Sequence, residues 1–259
     1  MPSVRARDSA TKARLTAELM RRIKIQLAYD GGGFHGWQIQ PGLPTIQGAL
    51  EEIVSAMEGA PVAVAGSGRT DAGVHALAQV AAFTIGNPIP LDNLRRAVNR
   101  LLPPAIRVFA VEEVPLDFHP RFDAKAKTYE YRIVRGETCS PFEWPYAHHY
   151  PYPLDEGSMI QLAGAFEGEH DFTAFAASDD RDAEGKSKVR TVFSSTLESA
   201  SGRMTYRVRG SGFLKHMVRN MVGTLIEAGR GNLEDVARLP AKCGATAAAK
   251  GLFLVGVEY

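Results

Sequence analysis

The chain has 259 residues, of which 45% are hydrophobic and 23% are charged, and its formal net charge at pH 7 is +1. These values are typical of a folded globular protein and exclude disorder over most of the chain, and no apolar run approaches the roughly 18 residues of a membrane-spanning helix. The N-terminus lacks the apolar segment of a secretory signal, and the distant Cys139 and Cys243 form no disulfide framework or zinc motif, so we expect a cytoplasmic protein with reduced thiols.

The first element is a predicted basic arm, residues 1–21. Residues 1–24 contain seven Lys or Arg and two acids, a net charge of +5, and they show no strand periodicity. Ser9–Met20 could form a short helix, but its charges favour a mobile arm.

Residues 22–114 are predicted to form an N-terminal α/β half. Side chains alternate in the first strand, Thr45 is placed to cap the first helix, and a Pro-Pro pair ends the second helix. The predicted elements are a strand at Ile23–Tyr29, a helix at Thr45–Met57, strands at Val62–Ala65 and Ala78–Phe83, a helix at Leu91–Leu102 and a strand at Ile106–Val114.

Residues 115–259 are predicted to form a similar C-terminal α/β half. The predicted elements are strands at Ala126–Val134, Val189–Leu197, Met204–Arg209 and Leu252–Tyr259, helices at Leu154–Phe166, Phe213–Gly229 and Asn232–Leu239, and a polar loop at Asp179–Lys188. The sequence therefore predicts the α+β class, with two similar halves built on antiparallel sheets and a boundary near Val114-Pro115.

A single carboxylate stands in a glycine-rich segment, Gly66–Ala76, between two apolar runs. Its three glycines let the backbone turn sharply, and Arg69 precedes Asp71 by two residues. A stiff loop of this kind suits a carboxylate that is held ionised for nucleophilic or base chemistry. One alternative is an ordinary turn. Another is a dinucleotide-binding loop, but Asp71 occupies the place of that fingerprint's third glycine and would repel a pyrophosphate.

Positive charge is segregated along the chain. Asn93–Val111 and Ser199–Ile226 each contain several basic residues and no acid, and residues 121–135 are also rich in Lys and Arg. Such segregation is typical of a phosphate-binding surface, and the alternative is a set of ordinary solvated faces.

Five segments resemble the tRNA pseudouridine synthase A family, and they occur in the family's order over residues 22–259. Arg69–Ala76 resembles the catalytic loop. The other four are Arg22–Gln47, Phe118–Ile133, Gly212–Ile226 and Gly251–Val255, which resemble the opening strand, the central strand, the C-terminal helix and the closing strand.

The resemblance implies a tRNA-modifying isomerase with a pseudouridine-synthase fold. Two halves would enclose a central RNA-binding cleft, and a homodimer would clamp tRNA. The enzyme would convert uridine to pseudouridine at tRNA positions 38, 39 and 40, in the anticodon stem-loop, after flipping the base from its stack. The reaction involves neither redox change nor hydrolysis, so no metal or cofactor is expected.

Three residues match the family's catalytic set: Asp71 as nucleophile, Arg219 as its ionic partner and Tyr129 in the active site. The helical pattern alone leaves open that Arg219 faces solvent. Strand periodicity places Tyr131 on the same face as Tyr129, and only the resemblance selects Tyr129.

Four further residues are assigned to substrate binding. The resemblance places Leu252 under the target base, although an ordinary core leucine would look the same, and places Arg69 in the space that the flipped base leaves. Lys215 and His216 stand beside Arg219 at the start of the predicted helix. Lys215 departs from the aromatic or polar residues common there, and the basic arm has no counterpart in the resemblance.

A non-catalytic RNA-binding module is the competing hypothesis. Its signature strand would carry an aromatic RNP1 motif, which Lys127–Val134 (KTYEYRIV) does not satisfy, and such a module has no use for Asp71.

Overall fold

The computed structural model describes residues 20–178, 185 and 187–259. The predicted arm, apart from its last two residues, and most of the predicted polar loop Asp179–Lys188 lie outside the described residues.

The N-terminal part contains four strands and two helices in the described residues. The strands are β1 (Arg21–Tyr29), β2 (Ala65–Gly66), β3 (His75–Ile85) and β4 (Ile106–Val114), and the helices are α1 (Ile46–Glu58) and α2 (Leu91–Leu101). Thr45 caps α1 as predicted, because its hydroxyl accepts a hydrogen bond from the Gly48 N–H.

The C-terminal part contains six strands and two helices in the described residues. The strands are β5 (Ala126–Val134), β6 (His148–His149), β7 (Gly168–Asp171), β8 (Val189–Ala200), β9 (Arg203–Gly210) and β10 (Leu252–Glu258), and the helices are α3 (Glu156–Ala165) and α4 (Met217–Gly229).

One sheet joins the two parts, with the strand order β4-β1-β3-β10-β5-β9-β8-β7 and with β2 and β6 paired at its side. Neighbouring strands are antiparallel except at β5–β6 and at the short β3–β10 junction. There Phe253 pairs with His75 and Leu254 with Ala76. The last strand of the chain therefore inserts at the centre of the sheet, beside the strand that follows the Asp71 loop. The α+β class is confirmed.

The core lies under the helices. Alternate residues of β1 are at most 4% exposed and belong to the same apolar cluster as the buried side chains of α1. In α4 only Arg219 and Glu227 are not buried. A Cβ at Gly223 would lie 1.8 Å from the Ala245 carbonyl oxygen, so the segment before β10 crosses α4 at a point that admits only glycine.

Some predicted boundaries were wrong. Residues 62–64 are not in a strand, and α4 begins at Met217 rather than Phe213, because His216 has a left-handed backbone (φ 61°) that interrupts the helix. The predicted helix Asn232–Leu239 is absent from these described residues. The Asn232 side chain donates to the Glu227 carboxylate instead of capping a following turn.

Candidate active site

A cavity of about 470 Å³ opens between the Asp71 loop, strand β5 and the N-terminal end of α4. All seven residues predicted for the site line it: Arg69, Asp71, Tyr129, Lys215, His216, Arg219 and Leu252. They come from four separate stretches of the chain, which the fold brings together around one cavity.

The Asp71 loop is held in place by backbone hydrogen bonds. The Trp37 N–H donates to the Thr70 carbonyl over 3.0 Å, and the Val74 N–H donates to the Asp71 carbonyl over 3.1 Å. Gly73 has a φ of 76°, a backbone conformation that residues with a side chain rarely adopt. The loop is therefore fixed on both sides of Asp71.

The segment after β1 packs directly against this loop. Gly36 has φ +87°, and a Cβ there would lie 2.5 Å from the Thr70 carbonyl oxygen and 3.1 Å from the Ala72 nitrogen. A Cβ at Gly31 would lie 1.9 Å from the Val74 carbonyl oxygen. These glycines let the backbones of the two loops make direct contact, which fixes the position of Asp71 in the cavity.

Buried polar groups support the loop from below. The Tyr29 hydroxyl is 2.8 Å from the Thr70 hydroxyl. Gln79 donates to the Gly68 carbonyl over 3.1 Å and accepts from the Ser67 hydroxyl over 2.7 Å. No fully buried side-chain polar atom in the described residues lacks a partner. A satisfied network of this kind resists displacement of the loop.

Arg219 pairs with Asp71. Its Nη1 donates to Asp71 Oδ2 over 3.0 Å, and its Nε donates to the Ala247 carbonyl over 2.8 Å. The Arg219 side chain is 15% exposed. The alternative in which Arg219 faces solvent is therefore excluded. Because the guanidinium is held at two atoms, the direction from which it meets the carboxylate is defined.

His216 approaches the same carboxylate oxygen. Its Nε2 lies 3.5 Å from Asp71 Oδ2, and its left-handed backbone directly precedes α4. A non-glycine residue in this conformation is sterically strained, and such residues are frequent at functional sites. The second carboxylate oxygen, Oδ1, accepts no hydrogen bond from the described residues. Asp71 thus presents one tethered oxygen and one open oxygen.

Tyr129 forms part of the cavity wall from β5. Its ring meets Phe213 edge-on, with 5.1 Å between centroids. Its hydroxyl makes no hydrogen bond within the described residues, and it reaches the cavity, since no fully buried polar atom there is unpaired. Burial, followed by the nearby Tyr29 and Asp71, raises the pKa of the Tyr129 phenol well above its usual range. The phenol therefore keeps its proton at neutral pH.

The remaining predicted residues surround this centre. Leu252, the first residue of β10, is 5% exposed and forms an apolar part of the wall. Arg69 is exposed on the loop that carries Asp71. The Lys215 Nζ donates to the Ser178 carbonyl over 3.0 Å.

Sequence reasoning missed several lining residues, notably Lys127, Arg121 and Phe213. Strand alternation could have found Lys127, because it lies two residues before Tyr129 and on the same face. Phe213 was placed inside a helix, whereas it belongs to the loop that precedes α4.

Four residues of the predicted basic surface are paired with acids from other elements of the fold. These pairs are Arg135–Glu156, Arg203–Glu143, Arg207–Glu130 and Arg209–Glu258, with N–O distances of 3.4, 2.7, 2.7 and 2.6 Å. For these residues the reading as ordinary solvated faces is correct. The lining of the cavity also contains basic residues, namely Arg69, Arg121, Lys127, Lys215 and Arg219.

The described residues contain neither a metal-binding cluster nor a membrane-spanning helix. No group of three or more His, Cys, Asp or Glu side chains there is arranged to hold a metal ion. No helix in that part of the chain is long and apolar enough to cross a membrane.

A family model described as tRNA pseudouridine synthase matches residues 26–123 and 162–259. Three proteins named tRNA pseudouridine synthase A are similar over 93% of this chain. That of Solibacter usitatus is 78% identical and covered completely, that of Geobacter sp. is 45% identical and 99% covered, and that of Brevibacillus brevis is 42% identical and completely covered. The chain therefore belongs to the tRNA pseudouridine synthase family and is an isomerase.

Proposed function

We propose that this chain converts uridine to pseudouridine in the anticodon stem-loop of tRNA, at positions 38, 39 and 40. The N1–C1′ bond of the nucleoside breaks and a C5–C1′ bond forms. The proton on C5 leaves to solvent and N1 gains a proton, so atoms and charge balance without an external reagent.

The observation that carries the proposal is the asymmetric environment of Asp71. Arg219 and His216 both approach Oδ2, while Oδ1 has no partner in the described residues. The ion pair orients the carboxylate, and the open oxygen can attack the nucleoside or remove a proton from its sugar. A loop fixed by backbone contacts keeps this oxygen in place during the reaction.

The cavity wall suits a uracil ring. Tyr129, Phe213 and Leu252 offer two aromatic rings and an aliphatic side chain beside the carboxylate. A pyrimidine can stack on such surfaces for about 1–3 kcal/mol per base. The Tyr129 hydroxyl opens on the cavity and carries its proton at neutral pH, so it is placed to protonate a group on the base during isomerisation.

Base flipping follows from the depth of the site. A base that is stacked in an RNA helix cannot reach a carboxylate inside a cavity, so the nucleotide must rotate out. Arg69 is exposed, lies two residues from Asp71 and lines the cavity. We propose that Arg69 occupies the gap that the base leaves, and that Lys215 and His216 contact the RNA.

The assembly belongs to the same proposal. We propose a cytoplasmic homodimer whose two protomers clamp one tRNA. In each protomer, two halves (residues 22–114 and 115–259) would enclose the cleft, and residues 1–21 would form a basic arm. The support is the family to which the chain belongs and the excess of positive charge in the arm.

The test uses tRNA that carries tritium at C5 of its uridines. The wild-type protein should release tritium to solvent, and Asp71→Asn should release none while it binds tRNA normally, because Asn keeps the shape and loses the nucleophile. Asp92→Asn is the matched control, since Asp92 is 79% exposed in the first turn of α2. Retention of a tenth of the turnover by Asp71→Asn would refute the role of Asp71.

Site selection is tested with tRNA variants. Replacing the uridines at positions 38–40 by cytidine should abolish tritium release, whereas replacing uridines in other loops should not. If the cytidine variants still release tritium, the anticodon stem-loop assignment is wrong.

A further inference from the structure

Lys127 places an ammonium group in the cavity wall without a matching anion. It lies on β5, two residues before Tyr129, and its Nζ donates to the Ser67 carbonyl over 2.5 Å. A Cβ at Gly68 would be only 3.2 Å from this nitrogen. The ammonium therefore sits against the base of the loop that carries Asp71.

No carboxylate within the described residues pairs with Lys127. Asp71, the acid in the cavity wall, is already bound to Arg219. Glu258, on the neighbouring strand β10, is bound to Arg209. The charge that acts on Lys127 is the positive charge of Arg121, which also lines the cavity.

This arrangement is unfavourable in the protein alone. Burial, reinforced by the Arg121 charge, lowers the pKa of the Lys127 ammonium to about 8. A partly buried cation that is repelled by a second cation gains free energy when an anion binds beside it. Only one of its three N–H donors is used by Ser67, so two remain for a ligand.

We propose that Lys127 binds a backbone phosphate of the RNA beside the nucleotide that enters the cavity, as an anion subsite separate from the Asp71–Arg219 pair. This inference rests on the proposed function, because RNA supplies the phosphate. The subsite fixes the strand on the side of β5, while Arg69 lies on the Asp71 loop and Lys215 on the loop that precedes α4. Arg121 strengthens the local positive potential.

A purely structural role is the alternative. Lys127 could serve only to hold the Ser67 carbonyl, and its loss would then lower stability without altering how binding depends on salt. The two roles differ in a measurable quantity, because each phosphate contact releases counterions and adds about 0.7–0.9 to the slope of log affinity against log salt concentration.

The experiment measures tRNA affinity by filter binding over a range of salt concentrations, at pH 7, for wild type, Lys127→Met and Lys127→Arg. Lys127→Met should weaken binding about tenfold at low salt and reduce the slope by about 0.7–0.9. Lys127→Arg, which retains a cation, should restore the slope. Lys24→Met is the control, since Lys24 pairs with Glu112 over 2.7 Å and does not line the cavity.

The results separate this inference from the function on which it rests. If wild type releases tritium from tRNA but the Lys127→Met slope equals the wild-type slope, the phosphate subsite is refuted and the proposed function stands. If Lys127→Met does not fold, Lys127→Arg and Lys127→Gln are compared, and equal slopes for these two refute the subsite. If wild type releases no tritium, the proposed function fails, whatever the slopes show.

Discussion

Tyr129 and Tyr131 lie two residues apart on one face of β5, yet only the Tyr129 hydroxyl opens on the cavity. The Tyr131 hydroxyl donates to the Ala248 carbonyl over 2.8 Å and lies 3.2 Å from His148 Nδ1. Tyr131 is completely buried. The strand thus directs one phenol to the cavity and uses the other to fix the segment before β10.

The two tyrosines should therefore respond differently to loss of the hydroxyl. Tyr129→Phe should lower single-turnover isomerisation by about 10² or more, as expected for loss of a general acid, with little change in melting temperature. Tyr131→Phe should retain near-normal turnover and lose about 1–2 kcal/mol of stability, because it leaves the Ala248 carbonyl without its donor. Rapid-quench rates and thermal melts of both variants test this. An equal or larger kinetic defect in Tyr131→Phe would show that the wrong tyrosine was assigned.

The two-point attachment of Arg219 predicts that lysine cannot replace it. A lysine ammonium cannot reproduce the planar arrangement in which Nε binds the Ala247 carbonyl and Nη1 binds Asp71. Arg219→Lys should lower kcat by about 10² or more while tRNA affinity changes little. Arg230→Lys, one residue past the end of α4 and 52% exposed, is the control. Near-wild-type kcat in Arg219→Lys would mean that charge alone suffices.

Strand alternation, capping residues and helical periodicity predicted most of the helices and strands, because these patterns depend on residues that are close in sequence. The alternation in β1, the Thr45 cap and the apolar face of α1 each depend on residues within one or two turns, and all three are confirmed. The turn around Asp71 could also be predicted, because Gly73 permits the positive φ of 76° that the loop adopts.

Partners that are distant in sequence could not be predicted in the same way. Arg207 stands in a stretch without acids, yet antiparallel pairing of β9 with β5 sets it opposite Glu130. Lys127 shows the same effect for one contact, because its ammonium binds the Ser67 carbonyl sixty residues away. Counting charges along the sequence does not show which acids lie opposite the basic residues on neighbouring strands.

The start of α4 shows a different limit. The apolar periodicity of the helix already begins at Phe213, and it does not indicate that His216 adopts a left-handed backbone conformation. That conformation is set by the tertiary structure around Asp71, so propensity alone places the helix start four residues too early.

Chelation should leave the activity intact. The proposed isomerisation uses a carboxylate and a phenol of the chain, and its bond changes need no electron acceptor or hydrolytic water. Tritium release should therefore be unchanged after dialysis against EDTA, in a monovalent salt concentration that keeps the tRNA folded. Melting of the tRNA alone under the same conditions is the control. Loss of turnover with folded tRNA would contradict the cofactor-free reaction.

Lys127 should make stability depend on pH in a defined window. Its pKa is about 8 in the folded protein, against an ordinary value of 10.5. Between these values the unfolded chain binds a proton that the folded protein has lost, so the free energy of unfolding rises with pH. The difference between wild type and Lys127→Met should grow in favour of wild type by about 1–3 kcal/mol from pH 8 to pH 10. Urea titrations at both pH values test this, and a pH-independent difference would contradict it.

The last prediction concerns the contact between Gly36 and the Asp71 loop. Gly36→Ala places a methyl group 2.5 Å from the Thr70 carbonyl oxygen in a backbone with φ +87°, so one of the two loops must move. We expect kcat to fall by about 10² or more, since a displacement on the order of 1 Å is enough for such a loss, together with about 2–4 kcal/mol of stability. Gly33→Ala is the matched control, because a Cβ at Gly33 meets nothing within 4 Å and its φ is not positive. Turnover with tritiated tRNA and thermal melts of both variants decide the matter. Equal behaviour of the two would show that the segment after β1 does not set the position of Asp71.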